Sequence, residues 1–263
     1  MSVRADKRVT LMVPVDVDEE TVEGFYTELH CCLDESPEEV LLDCSLLERA
    51  TSTHINTLWQ ARSRCEETGV PVKLTSVTYG LERVLMVLDL YDLFAAERDG
   101  VEARVGARKH DPDAVPPAAL MLEVEPTVDG IAGAMEALHK HLIGLGLGEI
   151  LAFDLETVFY EVTTNIRLHG ELREGDTIGF SAVTKDGLVH LRFEDPGPHF
   201  DPTSRSSTFD PKRAMRSRQR NGFGLAMIKR LADGLSYERE GDRLNILNLE
   251  KKIDRNGGNL NDL

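Results

Sequence analysis

Residues 149–169 read EILAFDLETVFYEVTTNIRLH. Leu151, Leu155, Val158 and Val162 recur at three- and four-residue intervals, the period of an α-helix with one face on a core. Glu161 and Asn165 flank that stripe, four residues apart, so on a helix their side chains project about 40° from one another and can face one pocket. Two polar residues at this interval are also what a solvated helix edge carries. The pair alone defines no site.

Working outward, Leu120 to Glu125 reads as a strand and Val128 to Leu145 as a helix. On the other side, Thr177 to Val183 and Leu188 to Glu194 alternate apolar and polar residues around Lys185-Asp186-Gly187, as a hairpin does. A helix is expected from Phe223 to Asp233, then a second hairpin, Ser236 to Glu240 and Leu244 to Leu249, across Gly241-Asp242. This order suggests an α/β sandwich with helices on one face of a mixed or antiparallel sheet. On the N-terminal side, DGVEARVGARKHDPDAVPPAA (residues 99–119) breaks the apolar periodicity with charges, glycines and prolines and reads as a linker. Before it, strands near Val9 to Val15, Val40 to Cys44 and Val70 to Val77 alternate with helices near Glu19 to Leu33, Thr53 to Thr68 and Leu81 to Leu88. That alternation predicts an α/β domain with a largely parallel sheet. The expected division is a first domain over 1–100, a linker over 101–118, a second domain over 119–253 and a disordered polar tail over 254–263.

A chain of 263 residues is long enough for two such cores. Its formal charge of -16 argues against DNA or anionic membranes as partners, because binding to phosphate backbones depends on neutralising them with Lys and Arg. The opening MSVRADKRVTLMVPVDVDEE has no signal-peptide core, and no run approaches the roughly 20 apolar residues of a membrane span, so a cytoplasmic location is expected. Cys31, Cys32, Cys44 and Cys65 show no C-x-x-C spacing and read as buried, reduced thiols.

Two further segments carry chemistry. The strand LVHLRFED runs into Asp195-Pro196-Gly197-Pro198-His199-Phe200. A carboxylate at a strand end can accept a hydrogen bond from an exocyclic amine such as adenine's, and a nearby glycine lets backbone approach a flat base. A plain turn has the same composition. Asn221-Gly222-Phe223-Gly224-Leu225 leads into LAMIKRLAD, where glycines at a helix N-terminus expose N–H groups and the positive dipole end to phosphate. Just before it, Arg205, Lys212, Arg213, Arg216, Arg218 and Arg220 concentrate positive charge. That segment suits a lid over phosphates, a dock for an acidic partner, or a solvated loop.

Taken in order, EVTTNIRLHG, FEDPGPHFDP and NGFGLAMIKRLAD resemble the successive nucleotide-binding boxes of the GHKL ATPase superfamily, in the form carried by the anti-sigma-factor serine/threonine kinases. The likeness spans Leu120 to Ile253. It implies that the protein binds ATP and Mg²⁺, that Glu161 is the general base, that Asn165 binds Mg²⁺ and that Asp195 reads adenine. It further implies that Gly197, Gly222 and Gly224 shape the pocket and lid, and that Thr164 lies near the phosphates. A family arginine used in partner and phosphate contacts falls at Gly133. Residues 40–94 resemble a STAS domain, the fold of anti-sigma-factor antagonists, with the likeness extending over Val9 to Ala95. Where antagonists carry a phosphorylatable Asp-Ser-Ser-Gly, this chain has Thr51-Ser52-Thr53-His54. Thr53 is the implied phosphosite, and the bulk of His54 is expected to hinder kinase docking. A cap on the following helix is the plain alternative for Thr51 or Ser52.

The resemblance implies an ATP-dependent serine/threonine protein kinase of the partner-switching type. Its partners would be a STAS-domain antagonist protein, its own STAS-like domain or a sigma factor, and related kinases commonly form homodimers. The alternative is a non-catalytic, nucleotide-gated binding module, against which the retained Glu161 argues.

Overall fold

The computed structural model describes residues 8–94, 118–204, 210, 212–213, 222–241 and 244–253. All but one residue of the expected linker, and the expected tail, lie outside these residues. The described chain divides into two compact units. The first holds 8–94 with 210, 212–213 and 222–223, and the second holds 118–204, 224–241 and 244–253.

In the N-terminal unit, strands β1 (Arg8–Met12), β2 (Glu39–Asp43) and β3 (Val72–Thr75) lie side by side in that order and are parallel throughout. Helices α1 (Glu19–Asp34), α2 (Ser52–Thr68) and α3 (Tyr79–Val87) follow the strands in turn, and a 3-10 turn, Tyr91–Phe94, closes the described part. Each helix starts on an oxygen-bearing cap: Asp18, Thr51 and Thr78 accept the backbone N–H groups of Thr21, His54 and Leu81. At the other end of α2, Gly69 takes φ +73°, the left-handed conformation that stops a helix at low cost to glycine. Val40, Leu42, Leu74, Ile55, Leu58 and Leu81 are fully enclosed between sheet and helices. All four cysteines are free. The expectation that they are buried holds for Cys44 and Cys65, whose thiols burial pushes up to about 12 and about 11. It fails for Cys31, which is exposed on a side of α1 away from the apolar stripe of Phe25, Leu29 and Leu33, and for Cys32, which is half-buried at the margin of that stripe.

The C-terminal unit runs β4 (Ala118–Val124), α4 (Val128–Gly144), α5 (Glu149–His169), β5 (Ile178–Lys185), β6 (Leu188–Asp195), α6 (Phe223–Leu231, in this unit from Gly224 on), β7 (Gly234–Glu240) and β8 (Leu244–Lys252). Its five strands order as β4-β5-β6-β8-β7, and every pairing is antiparallel. The β5–β6 hairpin turns on Asp186 and Gly187 at φ +53° and +74°, the two positive values that a tight two-residue turn with the strands' own twist requires. Helix α5 is the centre of the unit, buried from Asp154 to Val158 on successive residues. Phe159 meets Phe180 edge-on at 4.7 Å, and Phe180 meets Phe193 at 5.0 Å, joining α5 to β5 and β6. Between α4 and α5, His139 Nδ1 lies 2.6 Å from Glu156 Oε1. Helix α6 stops two residues before the expected Asp233, whose N–H donates to the Glu250 carbonyl and whose carboxylate accepts from the Lys252 N–H. The chain there has already left the helix for the sheet. Among the described residues no helix is long and apolar enough to cross a membrane.

Candidate functional site

The register of β6 on β8 sets Asp195 opposite Asn245. Asp195 is half-buried at the end of β6, and its Oδ1 accepts two hydrogen bonds, from the Gly197 N–H at 2.9 Å and from Asn245 Nδ2 at 2.9 Å. Among the described residues Oδ2 has no hydrogen-bond partner. Burial raises the Asp195 pKa above the ordinary carboxylate value, while the bonds from Asn245 and Gly197 and the charge of Arg239 act the other way.

Gly197 lies against Gly170, the residue that ends α5. A Cβ on Gly197 would stand 2.5 Å from the Gly170 carbonyl oxygen and 2.7 Å from Asp195 Oδ1. Its requirement for glycine thus arises from a close approach of two backbones, and that approach fixes the end of α5 beside the Asp195 turn. Asn165 is five residues before Gly170, about 7.5 Å along the helix, and Glu161 one turn further back. Glu161 is 3% exposed and Asn165 is half-buried, so the expected helix-edge pair has one member enclosed and one at the margin. Thr164 is half-buried.

Gly224 is buried in the first turn of α6, and Gly222, just before the helix, takes φ +113°, where a Cβ would be strained. The far end of α6, at Leu231, shares a small cavity with Asp154, Leu155 and Val158 of α5. Of the basic segment, Lys212 and Arg213 are described, while Arg205, Arg216, Arg218 and Arg220 lie outside the described residues. Gly133 sits on an exposed part of α4 with open space where a side chain would project.

In the N-terminal unit, Thr53 is half-buried in the first turn of α2. Its side-chain hydroxyl has no hydrogen-bond partner among the described residues. Thr51 is the cap, as the plainer expectation had it. His54 does not obstruct the surface as its bulk suggested: it is 3% exposed and turned inward, with Nε2 3.0 Å from the Val15 carbonyl and Nδ1 3.1 Å from the Thr51 nitrogen. A carbonyl can only accept and a backbone N–H can only donate, so Nε2 carries the proton and Nδ1 is bare.

Sequence reasoning passed over Asn245, Arg239, Tyr237 and Gly170. Asn245 did leave a signal, a carboxamide beside Leu244 and Ile246 in an apolar strand. Its meaning depends on which residue the neighbouring strand sets opposite.

Residues 124–251 match the histidine kinase-like ATPase domain family. Among solved structures the chain is similar to one from the SiaB–SiaC complex of Pseudomonas aeruginosa, at 19% identity over 50% of this chain and 88% of that one, with a TM-score of 0.41. It is also similar to the histidine kinase AdeS of Acinetobacter baumannii, at 11% identity over 89% of this chain and 96% of that one, with a TM-score of 0.35. No curated protein matches it.

Proposed function

We propose that the protein is an ATP-dependent serine/threonine protein kinase of the partner-switching type. Its C-terminal domain would phosphorylate a STAS-domain antagonist protein, or its own N-terminal unit read as STAS-like, and thereby regulate a sigma factor or a related signalling partner. One observation carries this reading: a carboxylate with one oxygen bonded and the other unbonded among the described residues, Asp195, stands in a turn whose Gly197 lies against Gly170 at the end of the helix that bears Glu161 and Asn165.

In this reading Asp195 Oδ2 accepts the 6-amino group of adenine. Backbone N–H groups at the start of α6, around Gly222 and Gly224, receive phosphate oxygens at the positive end of the helix dipole, with Thr164 nearby. The Asn165 side-chain oxygen is a hard donor of the kind Mg²⁺ takes, and nucleotide-bound magnesium is usually held by one or two protein oxygens besides the phosphates. The ion would arrive with the nucleotide. When bound, it neutralises charge on the phosphates. Glu161 takes the proton of the attacking hydroxyl as that oxygen bonds to the γ-phosphorus, and the bond from the γ-phosphorus to the bridging oxygen breaks to release ADP. Thr53 is the candidate acceptor in cis, since a phosphate in the first turn of α2 meets the helix N-terminus favourably.

The test is incubation of the full chain with Mg²⁺ and γ-labelled ATP, alone and with a STAS-domain protein, followed by phosphosite mapping. Label on a serine or threonine is expected. Thermal denaturation run in parallel should show about 2.7 kcal/mol of added stability at 100 times the dissociation constant. Stabilisation without transfer would leave the nucleotide-gated binding module, and no stabilisation would overturn both readings.

A further inference from the structure

Asn245 is 4% exposed, yet it is a carboxamide with four hydrogen-bonding positions to satisfy. All are met, the nitrogen's at the Asp195 turn and the oxygen's on β7. Its Nδ2 lies 2.9 Å from Asp195 Oδ1, 3.0 Å from the Pro198 carbonyl and 3.2 Å from the Gly197 carbonyl. On the opposite side, its Oδ1 accepts from the Tyr237 hydroxyl at 2.7 Å and from Arg239 Nη1 at 2.5 Å. Chemistry alone fixes which end is which: a guanidinium has only donors, so it must face the oxygen, and two carbonyls with a carboxylate can only be met by the nitrogen. Arg239 Nη1 also donates to the Gly197 carbonyl at 3.3 Å, so the same guanidinium braces the carboxamide and the turn.

We propose that Asn245 is the positioning residue of the base-reading carboxylate: by holding Asp195 Oδ1, it presents Oδ2 alone, as a charged acceptor, to the amine of a bound purine. The inference rests on the reading of Asp195 as the adenine contact. Without Asn245 the carboxylate keeps one bond, from the Gly197 N–H, and is free to rotate, sharing either oxygen with the turn. Loss of that donor also removes one of the influences that hold the Asp195 pKa down, leaving burial to raise it further. A protonated Asp195 sets an O–H against an N–H donor, so acid should weaken binding, and at a higher pH in the variant. Among the described residues the charged or titratable groups around the pair are Arg239 and Tyr237 of β7 and His199, whose ring lies edge-on to Tyr237 at 5.6 Å. They are common to both proteins, so the difference between variant and wild type reports Asp195.

The experiment is calorimetric titration of the full chain with ATP and with purine riboside triphosphate, which lacks only the 6-amino group, from pH 5 to pH 8. Wild type should prefer ATP by roughly tenfold or more, the value of one hydrogen bond to a charged group. In Asn245→Leu, of similar volume, the preference should fall to about threefold or less while triphosphate binding persists, and the acid midpoint should move up. Asn245→Thr keeps one donor toward Asp195 and fits a strand. It should hold most of the preference with a midpoint between the other two, and it carries the test should the leucine variant not fold. If wild type prefers ATP and both foldable variants keep that preference with an unmoved midpoint, the role of Asn245 is wrong while the adenine reading stands. If wild type shows no preference, the adenine reading falls, and this inference with it.

Discussion

Each unit of the molecule is pinned by one buried polar side chain that ties together segments far apart in sequence, and the two differ in what they leave over. In the N-terminal unit His54 bonds Val15 and Thr51 through its two ring nitrogens, and its own N–H meets the Thr51 hydroxyl. Nothing on it is left to offer a ligand. In the C-terminal unit Asn245 is equally enclosed and equally satisfied, but one of its partners is a carboxylate with a second oxygen unbonded among the described residues. Burying a polar group costs free energy unless it is paired, so both nodes stabilise a fold, and the one that ends on a half-used acceptor also makes a place for something else to bind.

The largest effect should separate the two nodes by chemistry. Glu161→Ala removes the proposed proton acceptor and should lower phosphoryl transfer by about 10²- to 10⁴-fold, with nucleotide-induced stabilisation nearly unchanged. Rates and melting shifts measured on the same preparation check it. Unchanged turnover would remove Glu161 from the mechanism and leave the C-terminal node as a binding device only.

Next comes Gly197→Ala. The added Cβ would meet the Gly170 carbonyl oxygen at 2.5 Å, a backbone atom that cannot swing aside, so the turn or the end of α5 must shift. A cost of about 1–3 kcal/mol is expected, as for other overpacked sites, together with weaker nucleotide binding because Asp195 moves with the turn. Denaturant unfolding and nucleotide titration on the same variant would show whether the two losses travel together. A stable variant with full affinity would break the link between the two backbones and the site.

The fold was legible in the sequence wherever one period dominated. The four-residue recurrences of α5 and the alternation of β5 and β6 gave those elements within a residue or two, and the order of helices and strands gave the parallel sheet and left the other as mixed or antiparallel, of which the structure has the second. The helix that carries Glu161 and Asn165 and the turn that carries Asp195 and Gly197 were legible for the same reason. Asn245 and Gly170 were not, because each works through a partner at least 27 residues away, set by strand register or by helix ending against turn. His54 was misread for a related reason: a histidine where the resemblance implies a glycine looks like added surface bulk until the chain shows an inward space with a carbonyl at the far side.

A third prediction bears on that histidine. Burial holds the His54 pKa below its ordinary value, against the opposing pull of the Val15 bond and Asp16. The unfolded chain therefore takes up the proton first as pH falls below about 6.5, so the stability from neutral His54 is fully present above that pH and is lost on acidification through the folded value. Between pH 7.5 and pH 5.5, wild type should lose more stability than His54→Gln, which has no ionisation to contribute. Equal losses would show that the ring is not held in its neutral form.

The smallest effect expected is that of Thr51→Ala, and it tests how the N-terminal node is shared. The hydroxyl caps α2 by accepting the His54 N–H at 3.4 Å and lies 2.7 Å from His54 Nδ1, but the Thr51 backbone N–H also reaches that nitrogen and survives the substitution. Loss of a threonine cap typically costs about 1 kcal/mol, and the retained backbone bond should keep the loss near or below that figure. Because Nδ1 stays bare and bonded, the acid sensitivity of His54 should persist in the variant, measured by the same pair of unfolding curves. If the acid sensitivity vanished with the hydroxyl, the side chain of Thr51 and not its backbone would be what holds the imidazole neutral.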